Sequence, residues 1–261
     1  MNNEVQFYTL EEVVEKGIPY KEQTEHRCDY CGKLLEQLGF VGYDGVIHWV
    51  IRKDCDCEEA AAIRESERKR LERQERRSQE EKLLRAGVAR RYLNASVSRP
   101  ESVRFIESFD VGTGTGLYYI GGVGAGKTSE ASAVAKSFVW AGYSVVFATS
   151  LAMLDAIRAS YDGKSGAGID KFASADLLVL DDLGKENANS WALATLFQVL
   201  NGRYENLLPT IFTSQYTIDA LGRRMSRNGE RESAQAIVSR ISQVSEVVNL
   251  GSADRRRGRQ A

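Results

Sequence analysis

The stretch Leu117-Tyr-Tyr-Ile-Gly-Gly-Val-Gly-Ala-Gly-Lys127-Thr128-Ser129 decides the fold. It matches G-x-x-x-x-G-K-[ST] through Gly121, Gly126, Lys127 and Thr128, and the four residues before the loop are apolar and aromatic, as a buried strand requires. After the loop, Ala131, Val134, Ala135, Phe138 and Val139 recur at helical spacing, and Gly142 stands where helices commonly end. A glycine-rich turn between strand and helix is a phosphate cradle. Glycines let backbone N–H groups turn inward around phosphate oxygens, and the helix N-terminus adds its positive dipole end. Gly121, Gly122, Val123, Gly124, Ala125, Gly126, Lys127, Thr128 and Ser129 are therefore expected to hold ATP, with Lys127 neutralising the outer phosphates and Thr128 ligating magnesium.

A second motif supplies the carboxylates. Asp176-Leu-Leu-Val-Leu-Asp-Asp-Leu-Gly184 reads as an apolar strand ending in Asp181 and Asp182. Asp181 is expected to hold magnesium, directly or through water, and Asp182 to orient and deprotonate the attacking water. Related ATPases often carry glutamate at the second position, so the shorter side chain predicts slower hydrolysis. Further apolar strands are Ser144-Val-Val-Phe-Ala148, Thr210-Ile-Phe-Thr213 and Glu246-Val-Val-Asn-Leu250, separated by helix-length segments. That alternation predicts an α/β fold with a doubly wound parallel sheet. Ligands gather at the carboxyl ends of such strands, which places the Gln215 amide beside the triphosphate.

The rest of the chain bounds the chemistry. At 261 residues it can bury a full α/β core and carry an accessory module. No apolar run approaches the roughly 20 residues that span a bilayer, and the start lacks a signal peptide's pattern, so a cytoplasmic protein without membrane partners is expected. All four cysteines and both histidines lie in the first 57 residues, which leaves the ATP site only carboxylates, lysine, arginine and magnesium. Cys28, Cys31, Cys55 and Cys57 form two pairs flanking a strand-like run, the pattern of a structural zinc site in a module too small to be stable without metal. The one-residue gap between Cys55 and Cys57 is unusual, and His26 or His48 is an alternative ligand.

Residues 58–84 mix both charge signs without glycine or proline, and predict a long solvated helix with too few apolar positions for a coiled coil. The expected organisation is a zinc-binding module over 1–57, a charged connector over 58–87, an ATPase domain over 88–257 and a basic tail over 258–261.

Together these segments resemble the DnaC-type helicase loaders, AAA+ ATPases related to IstB-type transposition helpers. The resemblance rests on Gly-Gly-Val-Gly-Ala-Gly-Lys-Thr at 121–128, Leu-Leu-Val-Leu-Asp-Asp-Leu-Gly at 177–184 and Leu-Pro-Thr-Ile-Phe-Thr-Ser-Gln at 208–215. It extends to Ala-Gly-Val-Ala-Arg-Arg-Tyr-Leu-Asn-Ala from residue 86, Asn201-Gly-Arg-Tyr, Ile237-Val-Ser-Arg-Ile241 and Gly251-Ser-Ala-Asp-Arg-Arg. It implies that Gln215 stands at a sensor position usually held by asparagine. It also implies that Arg240 is an arginine finger reaching a neighbouring subunit's γ-phosphate, so that the chain forms a homo-oligomer, and that Arg256, or Arg255, is a second sensor. The implied function is ATP-dependent loading of a hexameric replicative helicase onto single-stranded DNA, the amino-terminal module gripping the helicase. Arg158, Lys164, Arg223, Arg224, Arg227 and Arg231 are candidate phosphate contacts on DNA. The competing readings are a transposition helper ATPase and an ATP-binding adaptor that does not hydrolyse.

Overall fold

The computed structural model describes residues 6–110, 112–161 and 168–254. The chain divides into two compact units, Met1–Arg76 and Arg77–Ala261. In the first, helix α1 (Leu10–Glu15) starts at a capping box in which the Thr9 hydroxyl accepts from Glu12 N–H while the Glu12 carboxylate accepts from Thr9 N–H. Strands β1 (Gln37–Val41) and β2 (Ile47–Arg52) pair antiparallel. Helix α2 (Glu58–Ala86) runs for 29 residues from the first unit into the second and buries only Ala60, in the first, and Leu83, in the second. It is laced by ion pairs one turn apart, Arg68 to Glu65 and Glu72 and Lys69 to Glu65, as its charge pattern requires.

The second unit is built on one parallel sheet. After α3 (Pro100–Glu107) come β3 (Gly116–Ile120), α4 (Lys127–Trp140), β4 (Val145–Thr149), α5 (Ser150–Tyr161), α6 (Ile169–Ala173), β5 (Leu177–Leu183), α7 (Ser190–Glu205), β6 (Thr210–Ser214), α8 (Ile218–Met225), α9 (Arg231–Val244) and β7 (Ser245–Asn249). The strands lie in the order β4-β5-β6-β3-β7, all parallel. Alternation of side chains splits each strand between two cores. Leu117 and Tyr119, Leu177 and Val179, and Ile211 meet α4 residues such as Val134 and Phe138 on one face. Tyr118, Leu178 and Leu180, and Phe212 meet Leu193, Leu196, Ile237 and others from the helices of the opposite face. Burial on both faces explains the nearly unbroken apolar runs of β3 and β5.

The expected strands and the long charged helix are therefore present. Helix α4 closes at Gly142, whose φ of +90° suits only glycine without strain, and the Tyr143 N–H returns to Phe138 O. Among the described residues no helix is long and apolar enough to cross a membrane.

Candidate nucleotide site and cysteine cluster

A cavity of about 760 Å³ opens where the carboxyl ends of β3, β5 and β6 meet the start of α4. The loop residues Val123, Gly124, Gly126, Lys127, Thr128 and Ser129 form its floor, Asp181, Asp182 and Gln215 one wall, and Arg91, Tyr92, Asn94 and Ser96 another. Gly126 precedes α4 with φ +97°, and Lys127, Thr128 and Ser129 of the first turn line the cavity, so the N-terminus of the helix lies at the cavity floor. Lys127 is buried and donates from Nζ to the carbonyls of Gly121 (2.9 Å) and Gly122 (2.8 Å). The ammonium is thus held over the loop rather than free in solvent.

The carboxylate wall depends on a break in β5. In a regular strand neighbouring side chains face opposite ways, yet Asp181 and Asp182 both line the cavity. The β5–β6 register shifts between Leu180 and Leu183, and Asp182 takes φ +60°, a left-handed conformation that aspartate tolerates better than most residues. The bulge brings both carboxylates to one side. Thr213 on β6, fully buried, pins them: its hydroxyl donates to Asp181 Oδ1 at 2.6 Å and accepts from the Asp182 N–H at 2.9 Å. Thr128 Oγ1 also donates to Asp181, at 3.0 Å.

Burial raises the Asp181 pKa above the usual carboxylate range, the Thr213 hydrogen bond opposing it and the Asp182 charge adding to it. Asp181 and Thr128 thus present hard oxygen donors side by side in the cavity, a chemical fit for magnesium. Asp182 is half-buried, and its Oδ2 lies 2.7 Å from Lys185 Nζ. With the two side chains 31% and 52% exposed, that pair contributes at most about 1 kcal/mol.

The remaining wall is one that sequence reasoning missed. Glu130, buried in the first turn of α4, accepts from the Ser98 N–H (2.9 Å), the Ser98 hydroxyl (2.6 Å) and the Arg99 N–H (3.0 Å). Lys136 donates to the carbonyls of Leu93 and Ala95. Two side chains of the loop's own helix therefore strap the lead-in segment across the cavity mouth, and no local sequence signal marks either as a strap.

Of the other expected site residues, Gln215 is exposed and lines the cavity. Arg240 lies elsewhere in the same chain. It is on α9, its guanidinium 4.2 Å over the Tyr204 ring and its Nε donating to Asn201 Oδ1 at 3.1 Å, and it is absent from the cavity lining. Arg158 stacks 4.2 Å over Trp191. Arg255, Arg256 and Lys164 lie outside the described residues.

In the first unit the four cysteine sulfurs come together, all within 4.8 Å of one another, with Cys31 to Cys55 at 3.4 Å and Cys28 to Cys57 at 3.8 Å. Tetrahedral zinc with Zn–S bonds near 2.3 Å separates its sulfurs by about 3.8 Å, so the cluster has the spacing that ion requires. Gly32, at φ +70°, turns the chain after the first pair, and its N–H returns to Cys28 O. N–H groups of Cys31 and Tyr30 directed at the Cys28 sulfur lower that thiol to about 7. Cys57 accepts from the Ala60 N–H, which pulls its pKa down, but desolvation and the neighbouring sulfurs outweigh this and push it up to about 12. Four sulfurs this close repel one another as thiolates, and a cation between them offsets that repulsion. Neither histidine joins them: His48 faces Asp44 at 3.1 Å and His26 faces Arg52 at 3.4 Å.

A phosphate cradle at the end of an interior parallel strand, with one strand inserted between it and a strand that ends in a buried and a half-buried aspartate, defines a P-loop nucleotide-binding protein of the AAA+ kind. The model of one family, IstB-like ATP binding protein, matches residues 69–261. The chain belongs to that family. It is 28% identical over 159 residues to the replicative helicase loader DnaI of Bacillus subtilis (strain 168), which covers 58% of this chain and 51% of that protein. It is 27% identical over 135 residues to an ATP-binding protein of insertion sequence IS5376 from Geobacillus stearothermophilus, covering 51% of this chain and 52% of the relative. The chain thus spans about half the length of these relatives. Among solved structures, the DnaC helicase loader superposes with a TM-score of 0.52 at 26% identity, over 62% of this chain and 99% of that one. DnaI superposes with a TM-score of 0.55 at 23% identity, over 62% and 93%, and this likeness is one of fold.

Proposed function

We propose that this protein is an ATP-dependent loader of a hexameric replicative helicase onto single-stranded DNA, with ATP binding and hydrolysis as its assembly switch. The observation that carries the reading is the cavity with a phosphate cradle on one side and two aspartates on the other, in a chain that also carries a four-cysteine cluster. Likeness to the helicase loader DnaI and to the DnaC loader structure supports the loading role. In this reading the chain comprises a metal module, a helical connector and an ATPase core. Residues 121–129 cradle the phosphates and the strapped segment around Arg91 and Tyr92 receives the base. Thr128 and Asp181 hold magnesium, which when bound offsets phosphate charge. Lys127 neutralises the outer phosphates, Asp182 accepts the proton of the attacking water and Gln215 positions that water against the γ-phosphate.

Arg240 completes the site of an adjacent protomer. Its stacking on Tyr204, away from the cavity of its own chain, supports a role in trans, and a fixed guanidinium suits charge developing on a transferred phosphoryl group. Arg256 is the candidate second sensor. Cys28, Cys31, Cys55 and Cys57 hold a structural zinc, and the module they close makes the helicase contact.

Two measurements test this. ATP should change the amount of a hexameric helicase that co-purifies with the protein, and Lys127→Ala should abolish nucleotide binding; a chain that retains no helicase in any nucleotide state is not a loader. Turnover that needs magnesium and disappears in Asp181→Asn excludes an adaptor that only binds ATP. The second reading, a transposition helper, is favoured by the insertion-sequence relative, and capture of a transposase in place of a helicase would establish it.

A further inference from the structure

Behind the carboxylate wall lies a second, smaller cavity of about 330 Å³. Lys185, Asn187, Arg224, Arg227 and Asn228 supply its polar lining. Glu186 is its one carboxylate, and that group is already engaged: buried, it accepts from the Ser150 hydroxyl at 2.5 Å and from the Gly184 N–H at 3.0 Å. The cavity therefore has three cations against one satisfied anion.

Its guanidinium groups are poised rather than spent. Arg224 is oriented by its Nε, which donates to Gly184 O, and by the Tyr216 ring 5.2 Å beneath it, while its terminal amino groups have no partner among the described residues. Arg227 is exposed and has no hydrogen-bond or ion-pair partner among the described residues. Forked donors of this kind match the oxygens of a phosphate group, and a pre-oriented fork loses little freedom on binding.

Lys185 lines both cavities. Its ammonium, 2.7 Å from Asp182 Oδ2, is the partition between them, and a pair this open to water exchanges readily for another partner. We propose that the smaller cavity is a phosphate-oxyanion site whose occupant draws Lys185 away from Asp182 and so frees the carboxylate that faces the nucleotide. While Lys185 holds it, one carboxylate oxygen of Asp182 is occupied by the ammonium; with an oxyanion between Lys185, Arg224 and Arg227, that oxygen is free to hydrogen-bond water in the nucleotide cavity. The occupant is either a phosphodiester of a single strand or a free phosphate. The effect on turnover rests on the ATPase reading above, whereas the binding does not.

The test titrates the full-length protein with inorganic phosphate and, separately, with a short oligothymidylate, in excess Mg-ADP so that the phosphate cradle is occupied. Arg227→Ala should weaken one of the two by roughly five-fold or more, the loss of a charged hydrogen bond, and the anion affected identifies the source. In Mg-ATP, that anion should stimulate wild-type turnover but not that of Arg227→Ala. Lys185→Met should turn over faster than wild type and ignore the anion. Equal affinities of wild type and Arg227→Ala for both anions would overturn the site, and slower basal turnover in Lys185→Met would overturn the release of Asp182. If wild-type and Asp181→Asn rates are the same, the ATPase reading fails while the Arg227→Ala binding comparison still decides the site.

Discussion

Thr213 does the work of two residues at the carboxylate wall, because one hydroxyl donates to the Asp181 carboxylate and accepts from the Asp182 backbone. In a sequence it is only a β-branched residue in a strand, and nothing in Thr210-Ile-Phe-Thr213 distinguishes it from a packing residue. Asp181 and Asp182 were legible because an apolar run ending in two acids is rare. The bulge that lets both face one cavity was not, since aspartate in a left-handed conformation leaves no mark on composition. Thr213→Val removes the hydroxyl at nearly constant volume. Turnover should fall by about ten-fold or more with nucleotide affinity little changed, and Thr213→Ser should restore most of it. The pH profile separates this from mere loss of fold. The hydroxyl lowers the Asp181 pKa against the stronger upward push of burial, so its removal moves the acid limb of the rate profile to higher pH. An acid limb that stays in place in Thr213→Val would show that the hydroxyl does not tune Asp181.

At the scale of elements, the positions of β5 and β6 depend on Arg203 in the last turn of α7. It is 1% exposed, donating from Nε to Thr210 Oγ1 (2.9 Å), from Nη1 to Phe172 O (3.0 Å) and Ala175 O (2.7 Å), and from Nη2 to Pro209 O (2.6 Å). Desolvation lowers its pKa to about 9, still a cation at neutral pH, and the Asp176 charge together with the ring of carbonyls offsets the burial. The strands themselves were readable from apolar runs between glycines and polar turns, and α4 from its period. What sets the two strand starts level was not readable, because Asn201-Gly-Arg-Tyr looks like a helix end on the surface. Arg203→Met leaves several buried carbonyls without donors, a cost of about 3–5 kcal/mol. For a unit of this size the melting temperature should fall by roughly 10 °C, measured by calorimetry. Arg203→Lys keeps the charge but not the fork and should fall in between. A melting temperature unchanged in Arg203→Met would show that the carbonyls find other donors.

For the whole molecule, the two units differ in what can hold them together. Residues 77–261 bury two apolar layers against a sheet. Among the described residues up to 76 the buried apolar ones are Val13, Ile47, Cys28, Cys55 and Ala60, while Phe7, Tyr20, Tyr30, Tyr43, Val50 and Ile51 are exposed. Three of those five, Cys28, Cys55 and Ala60, pack as one cluster with Leu35 and Cys57, so the buried cluster of this unit is the proposed metal site. A core of that size cannot by itself offset the chain entropy of more than seventy residues, and a structural zinc supplies about 10–16 kcal/mol in small metal-dependent modules. The purified protein should contain about one zinc per chain. A strong chelator should then make the amides of β1 and β2 exchange with solvent within seconds while those of β3 and β5 remain protected, and nucleotide binding should survive. Cys31→Ser should reproduce the chelated state without chelator. Slow exchange in β1 and β2 after complete metal removal would mean that the small apolar set and its hydrogen bonds suffice, and the cysteines would then need another explanation.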